Sequence, residues 1–187
     1  MKFYVVRHGQ TDWNAKGRIQ GKTDIELNEI GIEQARQLKA LIKDYNIDLI
    51  ISSPLKRARK TAEIINETVK CNIIFEDSLK ERGYGIFEGM IRKEINDELI
   101  NSDILNNYYI NKEYKEIETI QSLCSRVWKL LDNLKTKYKD NNILLVTHGG
   151  TIRAINGYFN GINEKGIIDN PGLKNCETVS YTHLTLP

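Results

Sequence analysis

Two short apolar runs, one near each end of the chain, are the clearest strand signals in its hydrophobic pattern. Residues 3–6 and residues 143–146 are each four consecutive apolar residues, which is typical of a strand buried on both faces. Each run is followed two residues later by a histidine, at His8 and at His148, and then directly by a glycine. Ligands in open α/β sheets bind beyond the carboxyl ends of the strands. If the two strands are neighbours, His8 and His148 therefore converge on one pocket.

The rest of the chain alternates between amphipathic helical segments and short strand-like runs. In the first predicted helix apolar residues recur at helical spacing, and Asn28 is expected to be its N-cap. The predicted helices cover residues 29–45, 54–69, 120–138 and 151–159, the predicted strands between them cover residues 48–51 and 72–75, and a final strand begins at residues 176–178. This alternation predicts an α/β fold with three layers, in which helices flank a mostly parallel central sheet.

The clearest signal for the start of a helix lies just before a cluster of basic residues. Ser53 is expected to be the N-cap and Pro54 the first helical residue. Arg57 then lies in the first turn, outside the apolar stripe of the helix. Outward-pointing amides and a guanidinium together favour the binding of a phosphate or carboxylate there. The other basic residues of this turn are expected to be solvated: Lys56, Arg59 and Lys60.

Three polar segments lack periodicity and are predicted to surround the pocket. Residues 12–27 are expected to be a loop over it, and residues 78–89, with three glycines, a second loop at the strand ends. Taken alone, the acids of this second loop, Glu81 and Glu88, are interpreted as solvated carboxylates. Residues 92–114 are expected to form short helices that cover the site.

Composition limits the classes of protein to which the chain can belong. At 187 residues and 21.6 kDa it is expected to form one domain, over residues 1–178. The net charge of +2, with both signs interspersed, disfavours nucleic-acid binding, and no apolar run is long enough for a signal peptide or a membrane span. Three widely spaced cysteines fit reduced thiols in a cytoplasm better than a disulfide framework: Cys71, Cys124 and Cys176.

The matched histidines carry the strongest chemical signal. A single histidine after a strand is more often structural than catalytic. Two in matched settings, one of them next to Arg7, favour a functional pair. A zinc site is disfavoured because two histidines without HxxxH or CxxC spacing supply too few ligands. We therefore expect no metal.

A series of motifs extends over nearly the whole chain in a fixed order. It comprises Arg7, His8, Gly9, Thr11, Asn14, Arg18, Gln20 and Gly21, then Leu27, Gly31, Ser53, Leu55, Arg57, Ala58, Thr61 and Ala62, then Leu79, Glu81, Gly85 and Gly89, and finally Thr147, His148, Gly149 and Gly150. This series resembles the motifs of the histidine phosphatases, a family that includes the cofactor-dependent phosphoglycerate mutases. The resemblance implies a phosphoglycerate mutase-like fold and no cofactor.

The resemblance also implies a mechanism and the residues that carry it. His8 would attack phosphorus and form a phosphohistidine, which water then hydrolyses. Glu81 would protonate the leaving alkoxide and then deprotonate the water, while Asn14 adds a hydrogen-bond donor. The implied catalytic residues are Arg7, His8, Arg57, Glu81 and His148, and the implied substrate-binding residues are Arg7, Asn14, Gln20, Gly21, Arg57, His148 and Gly149. The implied partner is a small phosphomonoester, not nucleic acid or a membrane, and the chain is expected to be a monomer or a homodimer.

Within this family the choice lies between a hydrolase and a mutase. The Arg-x-Gln-Gly pattern that ends at Gly21, the short middle segment and the run Phe87-Glu88-Gly89 look more like the small phosphatases, including α-ribazole-phosphate phosphatases. A hydrolase acting on a small phosphorylated metabolite is therefore expected, with α-ribazole phosphate as one candidate and a phosphoglycerate mutase as the alternative. A catalytically silent phosphate-binding module is disfavoured, because every residue with a chemical role is present.

The last nine residues do not resemble the ending of the family. Residues 179–187 resemble, under suitable codons, a translated transposase-type sequencing adapter. We expect this tail to be non-native and assign no role to His183.

Overall fold

A computed structural model, which describes residues 1–110 and 112–182, contains a central sheet of five strands. The strands are β1 (Lys2–Arg7), β2 (Leu49–Ser52), β3 (Asn72–Phe75), β4 (Asn142–Thr147) and β5 (Thr178–Thr182), in the spatial order β3-β2-β4-β1-β5. The first four are parallel to one another, and β5 is antiparallel to β1. The mostly parallel sheet predicted from the sequence is confirmed.

The two apolar runs are adjacent strands at the centre of this sheet. Val6 of β1 pairs with Val146 of β4, and Arg7 pairs with Thr147. The chain leaves both strands at the same edge, where the His8 amide donates to the carbonyl of Thr147 over 2.9 Å. The prediction that the two histidine segments meet is confirmed.

Helices cover both faces of the sheet and make the predicted three layers. The helices that do so are α2 (Glu29–Ile42), α3 (Lys56–Val69), α5 (Ile120–Lys137) and α6 (Gly149–Asn160), whereas the short helices α1 (Asp12–Ala15) and α4 (Glu98–Asn101) lie in the connecting segments. Side chains of β1 alternate between the faces. Tyr4 and Val6 pack in the cluster with α2 and α3 residues, whereas Phe3 and Val5 pack in the cluster with α5 and α6 residues.

The starts of α2 and α3 test two predicted caps. Asn28 caps α2 as predicted, since its side chain accepts from the Gly31 amide over 2.9 Å. The prediction that Ser53 caps α3, with Pro54 as first residue, is wrong, because α3 begins at Lys56. The Ser53 hydroxyl lies instead 2.8 Å from Nε2 of His148. Asp24, from the loop above, accepts from the Lys56 amide over 2.7 Å in place of a local cap.

The loop segments contain more structure than the sequence pattern indicates. Residues 12–27 include α1, which is too short for a periodic signal and begins with a capping box between Thr11 and Asn14. The predicted short helices between residues 92 and 114 are confirmed as α4 and two 3₁₀ turns, Arg92–Glu94 and Ile104–Asn106. They pack on a separate small apolar cluster beside the sheet: Ile19, Phe87, Ile100, Leu105 and Ile117. Residue 111 lies outside the described part.

The end of the described chain is the antiparallel edge strand. Val179 pairs with Val5 and Tyr181 pairs with Phe3, so residues 179–182 belong to β5. Residues 183–187, including His183, lie outside the described residues. That the tail from residue 179 is non-native stays a prediction, and sequencing of the gene tests it. Within the described ranges, no helix is both long and apolar enough to cross a bilayer.

Candidate active site

A cavity of about 240 Å³ opens at the carboxyl ends of β1 and β4. It brings together predicted site residues that are far apart in the chain. Seven of the predicted residues line it: Arg7, His8, Asn14, Gln20, Gly21, Arg57 and Glu81. His148 and Gly149 are not among the lining residues, and the His148 ring centroid is 5.1 Å from that of His8.

The His8 ring is held in one tautomer by its own neighbour in the chain. Its Nδ1 lies 2.7 Å from the carbonyl oxygen of Gly9. Because a carbonyl can only accept, Nδ1 carries the proton and Nε2 keeps its lone pair. The ring is 2% exposed, and burial, followed by the charges of Arg57 and Arg7, lowers its pKa well below 6.5. His8 is therefore neutral at pH 7, with the lone pair of Nε2 available.

His148 and Arg57 form a buried pair beside His8. Nε of Arg57 donates to Nδ1 of His148 over 3.2 Å, so the His148 proton lies on Nε2 and points to the Ser53 hydroxyl. Burial first, and then the charge of Arg57, lowers the pKa of His148. Both ring nitrogens are engaged, which makes His148 a support for Arg57 in this arrangement. The role in phosphate binding that the sequence assigned to it stays a prediction.

The Arg57 guanidinium is completely buried and charged. One terminal nitrogen donates to the carbonyl of Thr23 over 2.8 Å and the other to the carbonyl of Gly21 over 2.7 Å. Burial lowers the pKa of Arg57 to about 10, which leaves it protonated at pH 7. A guanidinium has five N–H groups, and three are used here, counting the bond to His148. The remaining two can donate to a bound anion.

Arg7 supplies a second buried cation with an unused donor. Its Nη1 donates to the carbonyl of Leu173 over 2.7 Å, while Nε is buried without a hydrogen-bond partner. An unpaired buried donor is costly unless a ligand satisfies it. Gly149, at the start of α6, lies next to this group, since a Cβ there would be 3.9 Å from the Arg7 Nε. Arg7 therefore has a donor available for an anion in the cavity.

Two amide side chains line the same wall. Asn14 uses its Oδ1 to accept from the Thr11 amide over 3.1 Å. Gln20 uses its Oε1 to accept from the Thr11 hydroxyl over 3.0 Å. Among the described residues neither NH₂ group has a hydrogen-bond partner, so both can donate to a ligand.

Glu81 is the carboxylate that lines this cavity. Its two carboxylate oxygens accept from the amides of Arg82 and Gly150, over 2.8 Å and 3.2 Å. The neighbouring Arg82 turns away from it, and the Arg82 guanidinium donates to the carbonyl of Glu118 over 2.6 Å and to that of Leu105 over 2.6 Å. The sequence left the direction of Arg82 open, and the structure shows that it does not neutralise Glu81 by direct contact.

The interpretation of Glu88 as a solvated carboxylate is wrong. Its oxygens accept from the amides of Lys22 and Tyr84, each over 2.9 Å, and from both the amide and the hydroxyl of Thr23. Gly21 makes this approach possible, because a Cβ on it would lie 1.9 Å from Oε1 of Glu88. Glu88 thus holds the loop whose carbonyls orient Arg57.

The sequence reasoning missed Asn175, which contacts the segment that carries His8. Asn175 donates to the carbonyl of His8 over 2.8 Å from a segment just before β5. No periodicity or motif marks Asn175, and its contact spans 167 residues, so no local signal identifies it. Arg18, Tyr84 and Arg92 also line the cavity.

Comparison with known proteins relates the chain to proteins named as phosphatases and as a phosphoglycerate mutase. A Bacillus subtilis (strain 168) protein named "Uncharacterized phosphatase PhoE" is 41% identical over 151 residues, which cover 81% of this chain and 73% of the relative. An Escherichia coli (strain K12 / DH10B) protein named "Probable phosphoglycerate mutase GpmB" is 38% identical over 150 residues, covering 80% and 70%.

A solved structure and a family profile support the same grouping. The mycobacterial glucosyl-3-phosphoglycerate phosphatase complexed with VO3 aligns with a TM-score of 0.86 at 25% identity, covering 96% of this chain and 91% of the other. The profile of the histidine phosphatase superfamily (branch 1) matches residues 3–184. The chain belongs to branch 1 of the histidine phosphatase superfamily.

Proposed function

We propose that the protein hydrolyses a small phosphomonoester through a phosphohistidine at His8. The observation that carries this proposal is the free lone pair on Nε2 of a neutral, buried His8 in a cavity lined by Arg7 and Arg57. An imidazole fixed in this way is a nucleophile, and the two guanidiniums balance the charge of a phosphoryl group. The names of the Bacillus relative and of the mycobacterial neighbour support a phosphatase.

In the first step, Nε2 of His8 attacks phosphorus in line with the ester oxygen. A P–N bond forms and the P–O bond to the alcohol breaks. Protonated Glu81 gives its proton to the departing alkoxide, and Arg7 and Arg57 hold the phosphoryl oxygens while charge spreads over them. The product is an alcohol and a phosphohistidine whose Nδ1 keeps its proton and still donates it to the carbonyl of Gly9.

In the second step, the carboxylate of Glu81 takes a proton from water. The resulting hydroxide attacks phosphorus, the P–N bond breaks, and inorganic phosphate leaves with Nε2 again unprotonated. Glu81 returns to its protonated form. Each step uses the same acid and the same anion-binding groups, with no metal, so metal independence is part of the proposal.

Covalent trapping is the direct test. Mixing enzyme with ³²P-labelled substrate and quenching in base should yield a labelled protein that is stable to base and labile to acid, and His8→Ala should give none. A catalytically silent binding module would bind phosphate without labelling or turnover. Absence of label together with full activity of His8→Ala would refute the proposal.

The name of the Escherichia coli relative favours a mutase as the second candidate. A mutase passes the phosphoryl group from histidine to a second alcohol rather than to water. With 3-phosphoglycerate as substrate, ³¹P NMR distinguishes the two outcomes, because hydrolysis releases inorganic phosphate and transfer gives 2-phosphoglycerate. We expect inorganic phosphate.

A panel of phosphomonoesters would narrow the substrate. It should include α-ribazole phosphate, suggested by the sequence resemblance, and the phosphoglycerates, suggested by the names of the relatives. Chelators should leave turnover unchanged, while vanadate, which takes up the geometry of a phosphoryl group in transfer, should inhibit. A strict metal requirement would contradict the proposed mechanism. A cytoplasmic location and a monomeric or homodimeric state remain predictions for fractionation and sedimentation.

A further inference from the structure

A short turn just before β5 lies against Arg7 and His8. It spans residues 174–177, and the Glu177 amide closes it by donating to the carbonyl of Lys174 over 3.1 Å. Cys176, inside the turn, has a φ of 58°, which is the left-handed conformation that favours glycine. A residue with a Cβ keeps this conformation only where surrounding contacts hold it. The turn is therefore held by contacts outside itself.

Three of those contacts are made with Arg7, the last residue of β1. The Cys176 amide donates to the Arg7 carbonyl over 2.9 Å, and the Arg7 amide donates to the Glu177 carbonyl over 3.3 Å. The Arg7 guanidinium donates to the carbonyl of Leu173, directly before the turn, over 2.7 Å. All three use main-chain atoms of residues 173–177, so a change of side chain at residue 175 leaves them available.

Asn175 is the residue of this turn whose side chain contacts His8. Its Nδ2 donates to the His8 carbonyl over 2.8 Å, and another contact, with Oδ1 of Asn14, is longer at 3.5 Å. The peptide unit that begins with the His8 carbonyl ends with the Gly9 amide, which donates to the hydroxyl of Thr61 over 3.0 Å. Side chains from two distant segments therefore hold both ends of this one peptide unit.

The orientation of that peptide unit affects the His8 ring. The next carbonyl along the chain, that of Gly9, lies 2.7 Å from Nδ1 and keeps the ring proton there. A rotation of the peptide unit changes ψ of His8 and φ of Gly9, and it therefore moves the Gly9 carbonyl relative to the ring. Glycine opposes such a rotation less than any other residue, so the two side-chain contacts have to restrain it.

We propose that Asn175 is a positioning residue for His8, which fixes the peptide unit between His8 and Gly9 and thereby the carbonyl that holds the ring in its reactive tautomer. Asn175 is not among the residues that line the cavity, so it acts through His8 and not on the substrate. The inference rests on the proposed function, because the rate that it affects is that of phosphoryl transfer to Nε2.

Kinetics of Asn175→Leu test this role, since leucine keeps much of the side-chain volume and has no donor. We expect phosphohistidine formation in a rapid-quench experiment to slow by about 10-fold, the effect of leaving one partly buried carbonyl unpaired. The inhibition constant of inorganic phosphate should stay nearly unchanged, because Arg7 and Arg57 keep their own partners. Asn175→Gln, which keeps an NH₂ group, should retain more of the rate. The control is Asn133→Leu, at an exposed position on α5, and it should change neither value.

The tautomer itself can be measured without a substrate. In protein labelled with ¹⁵N in its histidines, long-range ¹H–¹⁵N correlation spectra distinguish protonated from unprotonated ring nitrogens, and the His8 signals are those missing from His8→Asn. The wild type should show a protonated Nδ1 and an unprotonated Nε2. Asn175→Leu should increase the fraction protonated on Nε2. Thr61→Val, which removes the other contact of the same peptide unit, should act in the same direction.

The inference requires both the slower phosphorylation at unchanged phosphate affinity and the altered ring spectrum. A folded Asn175→Leu with the wild-type spectrum or the wild-type rate would overturn it. An equal loss of rate and of phosphate affinity would also overturn it, because a general disturbance of the site produces that result. If Asn175→Leu does not fold, Asn175→Ala serves for both measurements. If the wild type forms no phosphohistidine, the proposed function fails, and the ring spectra alone then decide whether Asn175 sets the tautomer.

Discussion

At the scale of single residues, the reactivity of this site depends on which nitrogen of each histidine carries a proton. The Gly9 carbonyl fixes the proton of His8 on Nδ1, and Arg57 fixes that of His148 on Nε2. Burial then keeps both rings neutral. Two histidines that look alike in the sequence therefore differ in function: one has a free lone pair at the cavity, and the other supports an arginine.

Glu81 gives a prediction at the same scale. Glu81→Gln removes the acid but keeps an oxygen that accepts from the Gly150 amide. We expect turnover to fall by roughly 10²–10⁴-fold for alkyl phosphates, and much less for p-nitrophenyl phosphate, whose leaving group needs no proton. Steady-state assays on a series of leaving groups measure the effect, with the exposed Glu33→Gln as control. An equal loss for all leaving groups would show that Glu81 is not the proton donor.

At the scale of elements, the site is assembled from loops that buried charged groups hold in place. Burial alone would raise the pKa of Glu88, yet the hydrogen bonds from Thr23, Tyr84 and Lys22 keep it lower than usual. Glu88 is thus ionised and connects the loop that follows Gly21 to the main chain at Tyr84 through hydrogen bonds. The carbonyls of that loop in turn hold Arg57.

Glu88→Gln should therefore weaken phosphate binding although Glu88 does not line the cavity. In the variant, the NH₂ group of glutamine would face N–H or O–H donors that in the wild type donate to a carboxylate oxygen. Each buried polar group that loses its partner in this way costs about 1–3 kcal/mol. We expect KM to rise by about 10-fold or more. The inhibition constant of inorganic phosphate measures the same loss of affinity independently of the chemical step. Unchanged phosphate inhibition in a folded variant would show that the loop does not depend on this carboxylate.

Arg126 supports the turn that carries the acid. From α5 it donates to the carbonyls of Ser78 and Glu81, over 2.6 Å and 3.2 Å, and pairs with Glu118 over 2.7 Å. Arg126→Met should displace the Glu81 main chain and slow alkyl phosphates more than p-nitrophenyl phosphate, with partial rescue in Arg126→Lys.

A double-mutant comparison separates this role from general destabilisation. If Arg126 acts through Glu81, adding Arg126→Met to Glu81→Gln should cost little more on alkyl phosphates. Full additivity of the two losses would mean that Arg126 matters only for stability.

At the scale of the whole molecule, burial of both histidines makes stability depend on pH. Their pKa values in the folded protein lie below 6.5, whereas in the unfolded chain they are near 6.5. Below pH 6.5 the unfolded chain therefore binds more protons, and stability falls as the pH falls.

Two histidines give a slope of at most about 2.7 kcal/mol per pH unit, since one proton corresponds to about 1.4 kcal/mol. Urea unfolding between pH 7 and pH 5 measures it, and His8→Asn should roughly halve the slope. Carboxyl groups with lowered pKa values, such as Glu118, add to the loss only at pH values near and below 4.5. A flat profile from pH 7 to pH 5 would contradict burial of the rings.

The layered fold and most of the cavity could be predicted from the sequence because their signals are local. Apolar runs of four residues predicted β1 and β4, helical spacing predicted α2, α3 and α5, and the family motifs named the seven predicted residues that line the cavity. Ser53 and Glu88 were misread because their partners, His148 and the loop at Lys22, lie 95 and 66 residues away.

By itself, then, the sequence determined the order of strands and helices along the chain and put each histidine at the carboxyl end of a buried strand, because the periodicity that predicts these elements depends on near neighbours. The tertiary structure alone decided the direction of Arg82 and the support of His8 by Asn175. The direction of a side chain depends on its hydrogen-bond partners, which only tertiary packing brings close enough. These partners are distant in the sequence, so no local sequence pattern identifies them.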